Sequence, residues 1–191
     1  MKTALLIIDL VEDTFGKHSH LPVTQAALAM VPRINEVIRA CRQRGLPVIF
    51  STDSFLENDF VFQGKMKPHS IRGTRGAEVY SGLDRQPGDV VLPKRRFSAF
   101  YKTDLDQSFR LWGVDTVAVT GIATHVCVLA TALDALSNDF KAIMIEDCCA
   151  SMSEDMHNNC LNLYRRSPLF PLFQVMPSQE FMEKIGSGEQ G

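Results

Sequence analysis

The chain has 191 residues, 45% of them hydrophobic, enough to bury one substantial core. Its formal net charge is −2, and its Lys and Arg are scattered along the sequence, which excludes the electrostatic footprint of a nucleic-acid or anionic-membrane partner. A single domain over residues 1–185 is expected, with "GSGEQG" at 186–191 as a flexible tail.

The opening "MKTALLIIDLVED" has a short apolar run, but acids follow at once and no small-residue cleavage site appears. It reads as a strand, not a leader. No apolar stretch reaches the length needed to cross a bilayer, so a soluble, cytoplasmic protein is expected.

Short β-rich apolar runs recur at Ala4 to Asp9, Pro47 to Thr52, Asp89 to Leu92, Thr116 to Thr120, Ala142 to Glu146 and, more weakly, Phe173 to Met176. Helical patterns separate most of them. Pro32 fits the first turn of a helix that runs to Arg44 and stops at Gly45, with Ile34, Val37, Ile38 and Cys41 as its buried stripe. Residues 53–80 are too long and irregular for a simple connection and read as a functional loop.

Thr103 is the expected N-cap of "DLDQSFRLW", which Gly113 closes. Ser153 begins another helix, with acids in its first turn and Arg165 and Arg166 in its last, and Ser178 starts a short final one. The runs "LLIIDL", "TVAVTG" and "KAIMIE" lack alternation, as strands covered on both faces do. The expected fold class is therefore α/β: a three-layer α/β/α arrangement around a doubly wound, Rossmann-like parallel sheet.

In such sheets, ligands bind beyond the carboxyl ends of the strands. Asp9 ends the first strand, Asp53 ends the second, Lys94 follows the third and Cys127 opens the helix after the fourth. All four map to one rim. With Thr124 as N-cap, Cys127 falls at N3, where free N–H groups and the helix dipole favour thiolate over thiol. The same N–H groups suit the oxyanion formed when a thiolate attacks a carbonyl. Asp9 then accepts and returns a proton, and Lys94 separates two anions that would otherwise raise each other's pKa.

The other four cysteines, at 41, 148, 149 and 160, form no CxxC pair and read as reduced core residues. A thiol redox sensor needs no paired lysine and carboxylate. A nucleotide-binding role lacks any GxGxxG or GxxxxGK[ST] motif.

Three segments together resemble the cysteine hydrolases of the isochorismatase-like superfamily, which includes nicotinamidases and N-carbamoylsarcosine amidases. They are "ALLIIDL", "KRRFSAFYKTDLDQSFRLWGVDTVAVTGIATHVCVLATALDAL" and "IEDCCAS". The resemblance implies six parallel strands and a catalytic triad of Asp9, Lys94 and Cys127. It also implies a cis peptide between Ile122 and Ala123, which turns the Ala123 N–H toward the site beside that of Cys127 as an oxyanion hole. The implied reaction is cleavage of the C–N bond of a small amide or carbamoyl compound through a thioester. No cofactor is required in that reading, and family members commonly form homo-oligomers, as apolar helix faces here suggest.

Nicotinamidases carry a metal motif, Asp-x-His followed by a second His. The matching positions here are Asp53, Phe55 and His69, so one ligand is missing. Asp53 and His69 are left as vestigial candidates, with at most a weakly bound divalent metal, and a metal-assisted nicotinamidase is the alternative reading. "DLVEDTF" also departs from the family's "DxQNDF", so Phe15 or Phe100 is the expected pocket wall. His125 is either a substrate contact or an exposed first-turn residue.

Overall fold

The computed structural model describes residues 2–16 and 20–187. Six strands form one parallel sheet: β1 (Thr3–Ile8), β2 (Val48–Asp53), β3 (Val90–Lys94), β4 (Thr116–Ile122), β5 (Lys141–Ala150) and β6 (Phe173–Met176), in the spatial order β3-β2-β1-β4-β5-β6. The order reverses between β1 and β4. That is the switch point at which doubly wound sheets open a crevice.

Both faces are covered, as the unalternating apolar runs require. On β1, Ala4, Leu6 and Ile8 enter one hydrophobic core, and Leu5 and Ile7 enter the other. The first core packs under α3 (Leu105–Trp112), α4 (Leu129–Ser137) and α5 (Glu154–Arg165); the second packs under α2 (Pro22–Gln43) and α6 (Ser178–Gly186).

Several boundaries differ from those expected: β3 runs on to Lys94, β4 to Ile122 and β5 to Ala150, and three helix ends also move. α2 begins at Pro22, not near Pro32, because its apolar stripe continues upstream through Val23, Ala27, Met30 and Val31, all buried. Pro32 lies inside the helix but on its exposed side, where the missing N–H is most easily tolerated. α3 starts after Asp104, one residue beyond Thr103, although the Thr103 hydroxyl still accepts from the Leu105 N–H at 3.4 Å. α6 ends at Gly186, and the Ser187 N–H donates to the Glu183 carbonyl at 2.9 Å, so the last helix takes in the first residue of the expected tail. The rest of the expected tail, 188–191, lies outside the described residues.

The long segment 53–80 is irregular, as expected. It holds two short 3₁₀ turns, at Phe60–Gln63 and Arg75–Ala77. The short α1 (Glu12–Phe15) ties it down: Asp13 Oδ2 accepts from the Ser70 N–H at 2.8 Å, and Phe15 stacks on Tyr80 with ring centroids 3.8 Å apart.

Gly121 on β4 fixes how closely the two switch-point strands approach. Its φ is +110°, and a Cβ there would stand 2.1 Å from the Ile8 carbonyl oxygen. Gly121→Ala is therefore expected to cost roughly 3 kcal/mol or more. Gly45→Ala, with φ +65° and open space around it, should cost about 1 kcal/mol. Urea unfolding of both variants checks this, and equal losses would remove the close-approach argument.

Candidate active site

β1 and β3 lie two strand spacings apart, roughly 10 Å. A lysine at the end of β3 is long enough to span that gap, and Lys94 does so across the end of β2. Its Nζ donates to Asp53 Oδ1 at 2.5 Å and to Asp9 Oδ2 at 2.8 Å. The Lys94 side chain is fully buried, and those of Asp9 and Asp53 are nearly so. One ammonium thus joins two carboxylates carried by neighbouring strands.

Asp9 sits at φ +56°, a left-handed conformation that Asp tolerates better than most residues. Its second oxygen, Oδ1, is buried without a hydrogen-bond partner among the described residues. Cys127 faces this carboxylate. Its sulfur and one oxygen each of Asp9 and Asp53 all lie within 4.8 Å of one another.

Cys127 reaches this place on a wide turn. β4 ends at a cis Ile122–Ala123 peptide, after which Thr124–Val128 form a π-helical turn that leads into α4. The Ala123 carbonyl accepts from Val126 at 2.9 Å and from Val128 at 3.3 Å, the residues on either side of Cys127. Ala123, not Thr124, occupies the N-cap position, so Cys127 lies one residue deeper than the N3 position expected. Side chains pin the turn: the Thr124 hydroxyl pairs with His157 Nδ1 at 2.8 Å, and His125 Nδ1 with Ser151 Oγ at 2.9 Å. The Thr131 hydroxyl donates to the Cys127 carbonyl at 2.7 Å and accepts from the Ala99 N–H at 3.1 Å. It thereby links the turn bearing the sulfur to the loop beyond Lys94.

Burial, and then the adjacent Asp53 carboxylate, push the Asp9 pKa up to about 7 against the pull of Lys94. Burial works against the charge of Lys94, but Asp9 and Asp53 outweigh it and hold the ammonium above the ordinary lysine range. Burial and the Asp9 carboxylate raise the Cys127 thiol well above its usual value, with Lys94 opposing. Burial and the neighbouring carboxylates thus oppose the thiolate that a helix dipole alone would favour.

The isochorismatase domain model matches residues 3–173. The chain belongs to the isochorismatase domain family. Its relatives include a ureidoacrylate amidohydrolase, RutB, from Pantoea ananatis, 29% identical over 171 residues that cover 76% of this chain and 68% of the relative. Among solved structures, the N-carbamoylsarcosine amidase of Thermoplasma acidophilum is 32% identical with a TM-score of 0.82, covering 93% of this chain and 97% of that one. The pyrazinamidase of Pyrococcus horikoshii in complex with zinc is 27% identical with a TM-score of 0.81, covering 93% and 99%.

The isochorismatase-domain rim departs from a zinc site at the positions singled out in the sequence. Asp53 is committed to Lys94, Phe55 is buried, and the His69 ring lies edge-on to Phe55 and Phe62, with Nδ1 2.8 Å from the Lys67 carbonyl. A carboxylate already paired to an ammonium, a phenyl ring and one imidazole do not make the three-ligand set that catalytic zinc takes. The cluster of Asp9, Asp53 and Cys127 has Lys94 Nζ bonded to both of its acids, so the positive charge there is already supplied by the chain.

The expected pocket walls separate. Phe15 stacks on Tyr80 beside the long loop, whereas Phe100 belongs to the core and packs against Phe109 and Phe140 at 5.9 Å. His125 is exposed. Sequence reasoning missed the bond from Asp53 to Lys94. Its one signal was position: Asp53 ends β2, the strand between the other two.

The raised Asp9 pKa gives a stability prediction. An unfolded aspartate titrates near ~3.9. Between about pH 4 and pH 7 the unfolded chain releases a proton that folded Asp9 retains, so the folded state is increasingly disfavoured as pH rises. Below that window both states are protonated, and the penalty is absent. Asn tolerates the same left-handed backbone. The stability of wild type minus that of Asp9→Asn should therefore fall from pH 4.5 to pH 7 and level off above, as read by urea unfolding. A difference independent of pH would contradict the assignment.

Proposed function

We propose that this chain hydrolyses the C–N bond of a small amide or carbamoyl compound, with Cys127 as nucleophile. One observation carries the reading: a thiol, a carboxylate with a free oxygen and a buried ammonium meet at the switch point of the sheet. Two of the relatives above, named as amidohydrolase and amidase, support the same reaction class.

In this reading Asp9 takes the proton of Cys127 as the sulfur attacks the carbonyl carbon. A carboxyl titrating near neutrality suits such a relay, since it both accepts and returns a proton at working pH. The N–H groups of Ala123 and Cys127 receive the oxyanion. Asp9 then protonates the nitrogen as the C–N bond breaks, releasing ammonia or an amine and leaving a thioester on Cys127. Water, deprotonated by Asp9, attacks the thioester, and the proton returns to the sulfur with release of the acid. Lys94 stays charged throughout and holds the anions in register. No step is routed through a metal, because the donor set does not fit one.

Cys127→Ala is expected to abolish ammonia release from a panel of small amides and ureido compounds, while circular dichroism shows an intact fold. Cys127→Ser should lower turnover by at least about 10²-fold, since a buried hydroxyl is a far weaker nucleophile. Mass spectrometry of wild type quenched during turnover should show an acyl adduct on Cys127. Turnover that survives Cys127→Ala would end this reading.

A further inference from the structure

The cations that look scattered in the sequence converge in space. Arg72 from the long loop, Arg95 and Arg96 just beyond β3, and Lys102 ahead of α3 surround a cavity of about 310 Å³, with Tyr101 as an aromatic wall. The chain carries a net charge of −2, so this rim runs against the overall balance. The cavity lies at the carboxyl end of the sheet and borders Lys94, but neither Asp9 nor Cys127 lines it.

The guanidinium groups are held in place from behind. Asp59, whose side chain is 1% exposed, accepts from Arg95 Nη2 at 2.7 Å, Arg95 Nε at 3.2 Å and Arg96 Nη1 at 3.1 Å. Arg72 Nε donates to Ser54 Oγ at 3.0 Å, beside Asp53. The hydrogen bond from Arg95 keeps the Asp59 carboxyl well below the usual carboxylate range, so this anchor is charged at any working pH. With Lys94 and its partners Asp9 and Asp53 included, five cations face three acids, a surplus of two. Arg95 spends Nε and Nη2 on Asp59, Arg72 spends Nε on Ser54, and Arg96 spends Nη1 on Asp59 and on the Arg95 carbonyl, which leaves Nη1 of Arg95, both Nη groups of Arg72 and Nη2 of Arg96 for a ligand. Forks fixed in this way are preorganised for a planar or tetrahedral oxyanion.

We propose that this cavity is an anion-binding site that takes the carboxylate or phosphate group of a small molecule. Its volume lies at the lower end of small-ligand pockets, so it holds a compact acid with part of its body against Tyr101. Placed at the same rim as the thiol cluster, it serves either the acid group of a substrate or free phosphate acting as an effector. The oxyanion chemistry is common to both.

Calorimetric titration of the full-length Cys127→Ala protein with inorganic phosphate, and separately with N-carbamoylglycine, tests the site without requiring turnover. Both are expected to bind, more weakly as ionic strength rises. Adding Arg72→Gln and Lys102→Gln, which leave the buried Asp59 anchor paired, should weaken binding at least about tenfold, the loss of ~1.4 kcal/mol. Competition separates the two sources: N-carbamoylglycine displaces phosphate if the cavity serves a substrate's acid group, and leaves it bound if phosphate is an independent effector. Absence of binding by both probes at low salt, or equal affinity in the Arg72→Gln, Lys102→Gln protein, overturns the site. Binding without amide turnover in wild type would uphold the anion site and refute the amidase reading, and the converse result would do the reverse.

Discussion

The ammonium of Lys94 is the contact on which the rest of the rim depends. Two carboxylates at the ends of adjacent strands cannot both stay ionised in a dry site without a cation between them. A buried lysine in turn stays charged only if its donors are met. Each group is the condition for the other. Removing Lys94 alone would leave uncompensated buried charge, the kind of loss that costs 3–5 kcal/mol in other proteins. With the cation on β3, the arrangement also demands a long side chain, since Lys94 must reach past Asp53 to Asp9.

The sulfur is placed by a different constraint. β1 and β4 run so close at the switch point that only a glycine fits at 121, and the chain then leaves the sheet through a π turn. A π turn is wider than an α turn. It sets Cys127 toward the carboxylates while His157, Ser151 and Thr131 hold the turn through its side chains and the Cys127 carbonyl. Thr131 makes the sulfur's position depend on the loop after Lys94, so the two chemical partners are registered by a hydrogen-bonded path as well as by the sheet.

Much of this was legible in the sequence because strands buried on both faces leave an uninterrupted apolar signal, and their ends can be counted. That places Asp9, Asp53, Lys94 and Cys127 on one rim without coordinates. The pairing among them was not legible. Asp53 reads as a remnant metal ligand until its distance to Lys94 is known, because sequence gives the strand end but not the side chain's partner. The helix start was misplaced by one residue for a similar reason: Thr124 is a good N-cap by type, but its hydroxyl is engaged by His157 instead. Pro32 misled by residue type as well, since an interior proline is tolerated when its side of the helix faces water. The cationic cavity was invisible, because its four residues come from three segments and only the folded loop brings Arg72 to the end of β3.

The cluster's proton inventory connects structure to the proposed chemistry. At neutral pH it holds a thiol, an ammonium and two carboxyl positions, with Asp9 near its midpoint. Moving the sulfur's proton to Asp9 leaves the net charge of the cluster unchanged, so the low-dielectric site is not asked to create charge before the carbonyl arrives. A resident thiolate would add an anion to a pair of carboxylates that one lysine must already balance. The raised thiol pKa is compatible with the proposed attack, in which the anion would form only as it is consumed and the oxygen that inherits the charge would meet backbone N–H groups instead of another carboxylate.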